Sequence, residues 1–114
     1  MVNIQIFGSK KSSDSRKAER WFKERRIRFQ YVDLLDKGLS KGEMASVAKA
    51  VGGYDKLLDP AAKDGYALAL AQHTPQAMLP NVLLENQQVL RAPIVRNGRQ
   101  ATVGYAPEVW KAWE

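Results

Sequence analysis

The residues best placed to do chemistry are Ser12, Ser13, Asp14 and Ser15, preceded by Lys10 and Lys11 and followed by Arg16 and Lys17. Three hydroxyls, one carboxylate and four cations thus fall within eight residues. The stretch separates the apolar run Val2 to Phe7 from Ala18-Glu19-Arg20-Trp21-Phe22, so it reads as the loop of a strand–loop–helix unit. A helix start offers unpaired N–H groups and the positive end of the helix dipole, which suits an anion or an activated nucleophile. Serine answers that only in part. An alcohol proton is far harder to remove than a thiol proton, and a serine nucleophile needs an adjacent base. The single histidine, His73, lies far along the chain and nothing in the sequence places it beside Ser12. Capping is the plainer role, since Ser12, Ser13 and Asp14 are all favoured N-cap types and a cap is worth about 1 kcal/mol. The sharper role is an anion site for a phosphate, sulfate or sulfonate. It would use the N–H groups of residues 13–16 with Lys10, Lys11, Ser13 and Arg16.

Composition narrows the chemistry. There is no cysteine, so thiolate catalysis, disulfides and Cys-based metal centres are excluded in this chain. One histidine and no spaced acidic cluster leave no metal site to expect, and no motif calls for a cofactor. With 114 residues, 45% of them hydrophobic, residues 1–114 form one domain with a core of its own. No apolar run approaches the length of a membrane span, and the N-terminus does not read as a secretory signal, so a cytoplasmic monomer away from membranes is the expectation. The net charge is +6, and residues 10–28 alone hold nine basic and three acidic residues. All the excess charge therefore sits on the opening loop and its helix. It reads as a solvated face, or as a surface for an acidic partner. Nucleic acid is the weakest candidate, because no aromatics alternate with the cations to form a stacking surface.

The elements that must position the loop follow from pattern. Val2 to Phe7 alternates as a strand, and a helix follows to about Arg26 with Ala18, Trp21, Phe22 and Arg25 on one face. Ile27 to Leu34 alternates again, which makes a βαβ unit with parallel pairing. Ser40-Lys41-Gly42-Glu43 has the form of a capping box, opening a helix that Gly52-Gly53 ends. Tyr54 to Gln72 is helical but irregular, broken at Leu57-Leu58-Asp59-Pro60 and again at Gly65. Thr74-Pro75 reads as an N-cap and first helical position, with Pro80 interrupting the segment 75–86. Pro93 to Arg96 is a strand, Asn97-Gly98 a hairpin turn, and Arg99 to Val103 the return strand. Pro107 opens a last helix containing Val109, Trp110 and Trp113. The order predicts an α/β fold of thioredoxin type: a four-stranded mixed sheet, helices on both faces, and a helical insert between strands two and three.

The two ends of the chain carry a family resemblance. Arg16-Lys17-Ala18 with Trp21, and Arg91-Ala92-Pro93-Ile94-Val95 followed by Asn97-Gly98 and Val103-Gly104-Tyr105, resemble the opening and closing signatures of the arsenate reductase-like (ArsC) proteins, which include the Spx regulators. The resemblance spans nearly the whole chain. It puts Ser12 at the position of the family's redox cysteine and Ser15 at the second position of a C-x-x-C. It also implies that Pro93 is the cis proline facing the active loop. The family's arginine directly before the Pro-Ile-Val run is Ala92 here, with Arg91 one residue early. No arginine falls between Leu57 and Pro60, and Val103-Gly104-Tyr105 follows the Spx pattern. The resemblance thus implies a thiol oxidoreductase scaffold acting on an oxyanion or a small thiol, with Arg91 in the anion-binding set. With Ser12 as it stands the chain is redox-inactive, the sulfur having been lost naturally or replaced by substitution of a native cysteine or selenocysteine. The alternative it implies is a non-enzymatic, Spx-like adaptor for an acidic protein such as RNA polymerase. Its contact features would be Lys17 to Arg28 and Gly104-Tyr105.

Overall fold

The computed structural model describes residues 4–113. Four strands form one sheet in the order β2-β1-β3-β4: β1 (Ile4–Gly8), β2 (Phe29–Asp33), β3 (Ile94–Asn97) and β4 (Gln100–Val103). β1 pairs parallel with β2 and antiparallel with β3, and β3 pairs antiparallel with β4. The expected start of the first strand at Val2 and Asn3 lies outside the described residues.

Strand alternation splits the core in two. Ile4, Ile6 and Val95 face α1 (Ser13–Glu24) and a short closing helix, α5 (Pro107–Trp110), where they pack with Ala18, Trp21, Phe22 and Trp110. Trp110 is fully buried, with its ring 5.0 Å from Phe22 and 5.4 Å from Trp21. Its indole N–H donates to the Thr102 hydroxyl at 2.8 Å, which satisfies both buried polar groups. On the other face, Phe7, Val32 and Ile94 meet α2 (Lys41–Val51) and the helical insert. The insert comprises a 3-10 turn at Tyr54–Leu57, then α3 (Gly65–Gln72), α4 (Leu79–Glu85) and a second 3-10 turn at Gln87–Val89. The architecture and the place of the insert are those the pattern predicts.

The structure differs from the pattern at four places, each for a local reason. β2 begins at Phe29 rather than Ile27, because α1 stops in a Schellman arrangement. Ile27 N–H donates to the Phe22 carbonyl and Arg26 N–H to that of Lys23, both at 3.0 Å, with Arg26 in the left-handed region at φ 58°. Thr74 does not cap a helix start. Its hydroxyl donates back to the Leu70 carbonyl at the end of α3, the local competition open to threonine. Pro80 lies in the first turn of α4 instead of interrupting a helix, a position where its missing N–H costs nothing. The hairpin is also one residue later than Asn97-Gly98: Asn97 pairs with Gln100, and Gly98 takes the first turn position with φ 61°.

Candidate functional site

The Ser12 loop is held from both ends. Ser12 is the N-cap of α1, and its Oγ accepts from the Ser15 N–H at 3.1 Å. Its own N–H donates to the Ser9 carbonyl at 3.0 Å, and Lys11 N–H donates to Ser9 Oγ at 3.3 Å. Ser15 is fully buried, and its Oγ accepts from the Ser9 N–H at 3.2 Å. Its burial requires a glycine at position 8, because a Cβ there would lie 2.8 Å from Ser15 Oγ and 3.0 Å from the Tyr31 hydroxyl. Burial first, then the charges of Glu19 and Asp33, push Tyr31 above its ordinary value of 10.0, so its hydroxyl stays protonated. The two serines therefore differ. Ser12 is partly open, whereas Ser15 is internal.

Ser12 opens into a cleft of about 380 Å³ between its loop and the helical insert. Ser9, Lys11 and Ser12 form one wall, Leu34 and Leu35 follow β2, and residues from Asp59 to Asp64 stand opposite with Gln87, Gln88, Leu90 and Ala92. The insert is held there by backbone pairing: Leu58 bridges Leu90, Asp59 N–H donates to the Val89 carbonyl and Arg91 N–H to that of Leu57. Gln87 adds a clamp across the fold, accepting from Leu39 N–H at 2.7 Å and donating to the Leu39 carbonyl at 2.8 Å. Asp64 caps α3 through the Ala67 N–H and accepts from the Gln88 amide. Those two hydrogen bonds, the backbone one foremost, hold its carboxyl below the ordinary 3.8. The cleft thus combines apolar surface with cations at Lys11 and Lys63 and carboxylates at Asp59 and Asp64.

The structure gathers some of the sequence-derived residues and separates others. Ser12 and Lys11 line the cleft; Lys10, Ser13, Arg16 and Arg91 do not. The Arg91 guanidinium lies along Gly104, where a Cβ would come within 3.2 Å of its Nε. The Ala92–Pro93 peptide is cis, and the Pro93 carbonyl accepts from the Gly104 N–H at 2.8 Å. His73 ends α3 and is not among the cleft residues. The insert's contribution was not apparent in the sequence: Asp59, Lys63, Asp64, Gln87 and Gln88 reach the cleft only through the pairing of the segments around Leu58 and Leu90. Asp64-Gly65 before an alanine-rich run was the one local signal, as a helix cap. Among the described residues no cluster of potential metal ligands occurs, and no helix is long and apolar enough to cross a membrane.

A sheet of this order, with Ser12 at the start of α1 and a cis proline opening β3, is a thioredoxin-like fold. The profile of the ArsC family matches residues 7–113, so the chain belongs to the ArsC family. Solved structures similar to it include an ArsC-family-related protein from Bacteroides fragilis, with TM-score 0.85 and 18% identity over 97% of each chain. An arsenate reductase from Vibrio cholerae gives TM-score 0.80 and 21% identity over 95% of this chain and 94% of that one. An arsenate reductase-related protein from Brucella melitensis gives TM-score 0.62 and 18% identity over 97% and 93%. No curated protein matches the sequence.

Proposed function

We propose that this chain is an ArsC-family scaffold that binds a small anionic or thiol-bearing ligand in the cleft beside Ser12 without redox turnover. The observation that carries this reading is the Ser12 hydroxyl itself, which caps α1 and opens into the cleft next to Lys11. The helix start supplies N–H groups and a positive field, and Lys11 and Lys63 supply charge; together they suit an oxyanion or the carboxylate of a small thiol. Thioredoxin-type chemistry needs a thiolate, and this chain has no cysteine to form one. The test is Ser12→Cys. The new thiol is expected to titrate below the value of about 8.5 for a free cysteine and to exchange with a disulfide probe, while the wild type does neither. A restored thiol that titrates at or above that value would show that the start of α1 does not stabilise negative charge, and would remove the basis for the reading.

A second reading is a non-enzymatic adaptor, as in the Spx branch. It is supported by one observation: Lys17, Arg20, Trp21 and Glu24 of α1 line one groove with Tyr105. Its coarse test is recovery of RNA polymerase or another acidic protein at low salt, and no recovery counts against it.

A further inference from the structure

We infer that the groove between α1 and Tyr105 docks an acidic, amphipathic segment of a partner protein; this inference rests on the adaptor reading and specifies its surface. The groove, of about 190 Å³, lies on the α1–α5 face and shares no lining residue with the Ser12 cleft. Its cations are Lys17 and Arg20, one turn apart on the exposed side of α1. Arg16 is also exposed on the same helix, outside the groove. Of the three acidic residues on α1, Asp14 lies in the first turn, Glu19 is paired with Lys23 at 3.1 Å, and Glu24 lines the groove.

The apolar part of the surface points to protein rather than nucleic acid. Tyr105 is 40% exposed, although it stands beside a fully buried Trp110. Tyr105 meets Trp110 edge to face at 5.5 Å, which fixes its ring as a rigid wall. Trp21 is 6% exposed and covered by Arg25, whose guanidinium carbon lies 3.9 Å from the ring centroid, so it offers no free face for a base to stack on. A peptide of mixed character can set carboxylates against Lys17 and Arg20 and an apolar side chain against Tyr105. Charge complementarity of this kind sets the encounter rate and the register of docking.

The experiment uses a short fluorescein-labelled helical peptide with glutamate on one face and leucine on the other, followed by fluorescence anisotropy with the full chain. Binding is expected at low salt and should weaken as salt screens it. Lys17→Glu/Arg20→Glu should weaken binding about tenfold or more, Tyr105→Ala should weaken it at every salt concentration, and Lys41→Glu/Lys49→Glu on α2, with the same change in net charge, should leave it near wild type. Circular dichroism and thermal melts establish that each variant is folded. If wild type binds and the α1 variants bind equally well, the groove assignment is overturned while the adaptor reading stands. If wild type does not bind the peptide at low salt, the docking inference is overturned, and recovery of an acidic protein decides the adaptor reading separately. Tighter binding of a DNA duplex than of the peptide at equal salt would overturn the choice of partner.

Discussion

At the scale of single residues, the serines of the opening loop differ by where their oxygens point. Ser12 caps α1 and faces the cleft, whereas Ser15 is spent inside the loop, accepting from Ser9 beneath Gly8. The sequence showed that one of Ser12, Ser13 and Asp14 would cap the helix. It did not show which, because all three are good caps and the choice depends on the Ser9 carbonyl and the depth of Ser15. Nothing local marks Gly8, and only the approach of Ser15 and Tyr31 gives it a reason. Gly8→Ala is therefore expected to destabilise the protein by about 1–3 kcal/mol, as overpacking in a closed space does. A urea melt would check this, and a midpoint at the wild-type value would mean that the loop yields freely.

At the scale of elements, caps were the most legible feature where their chemistry is local. The Ser40–Glu43 capping box is present with both of its hydrogen bonds, and Gly52 ends α2 in the left-handed region. Thr74-Pro75 misled because threonine serves a helix end as readily as a helix start. Asp64 gives α3 a pH-dependent start. Its carboxyl is lowered by the Ala67 N–H and then by the Gln88 amide, so its contribution is present above the ordinary value of 3.8 and is lost as pH falls through the folded-state value. Asn caps comparably but does not titrate. Asp64→Asn should thus melt lower than wild type near neutral pH, with the gap closing in acid below about that value. Thermal melts across pH would show this, and a gap that does not change with pH would assign the cap to hydrogen bonding without charge.

At the scale of the molecule, the fold order was legible because hydrophobic period and turn residues are local quantities, and they fixed the strands, the insert and the hairpin. The cleft was not, since half its wall comes from an insert whose place depends on pairing between segments some thirty residues apart, Leu58 with Leu90. Gln87 is the clearest long-range fastening, holding both backbone groups of the buried Leu39. Gln87→Ala should leave those groups unpaired, cost about 2 kcal/mol or more, and loosen the insert. Faster amide exchange at Leu39 with a lower urea midpoint would register both effects, and unchanged exchange would mean that the insert is held without the clamp. The stop of α1 bears on the whole surface in another way. A left-handed backbone costs a side chain with a Cβ about 1–2 kcal/mol, and glycine would relieve it at position 26. The chain has arginine there, between Arg25 and Arg28, so that the helix ends in charge where it could have ended in stability.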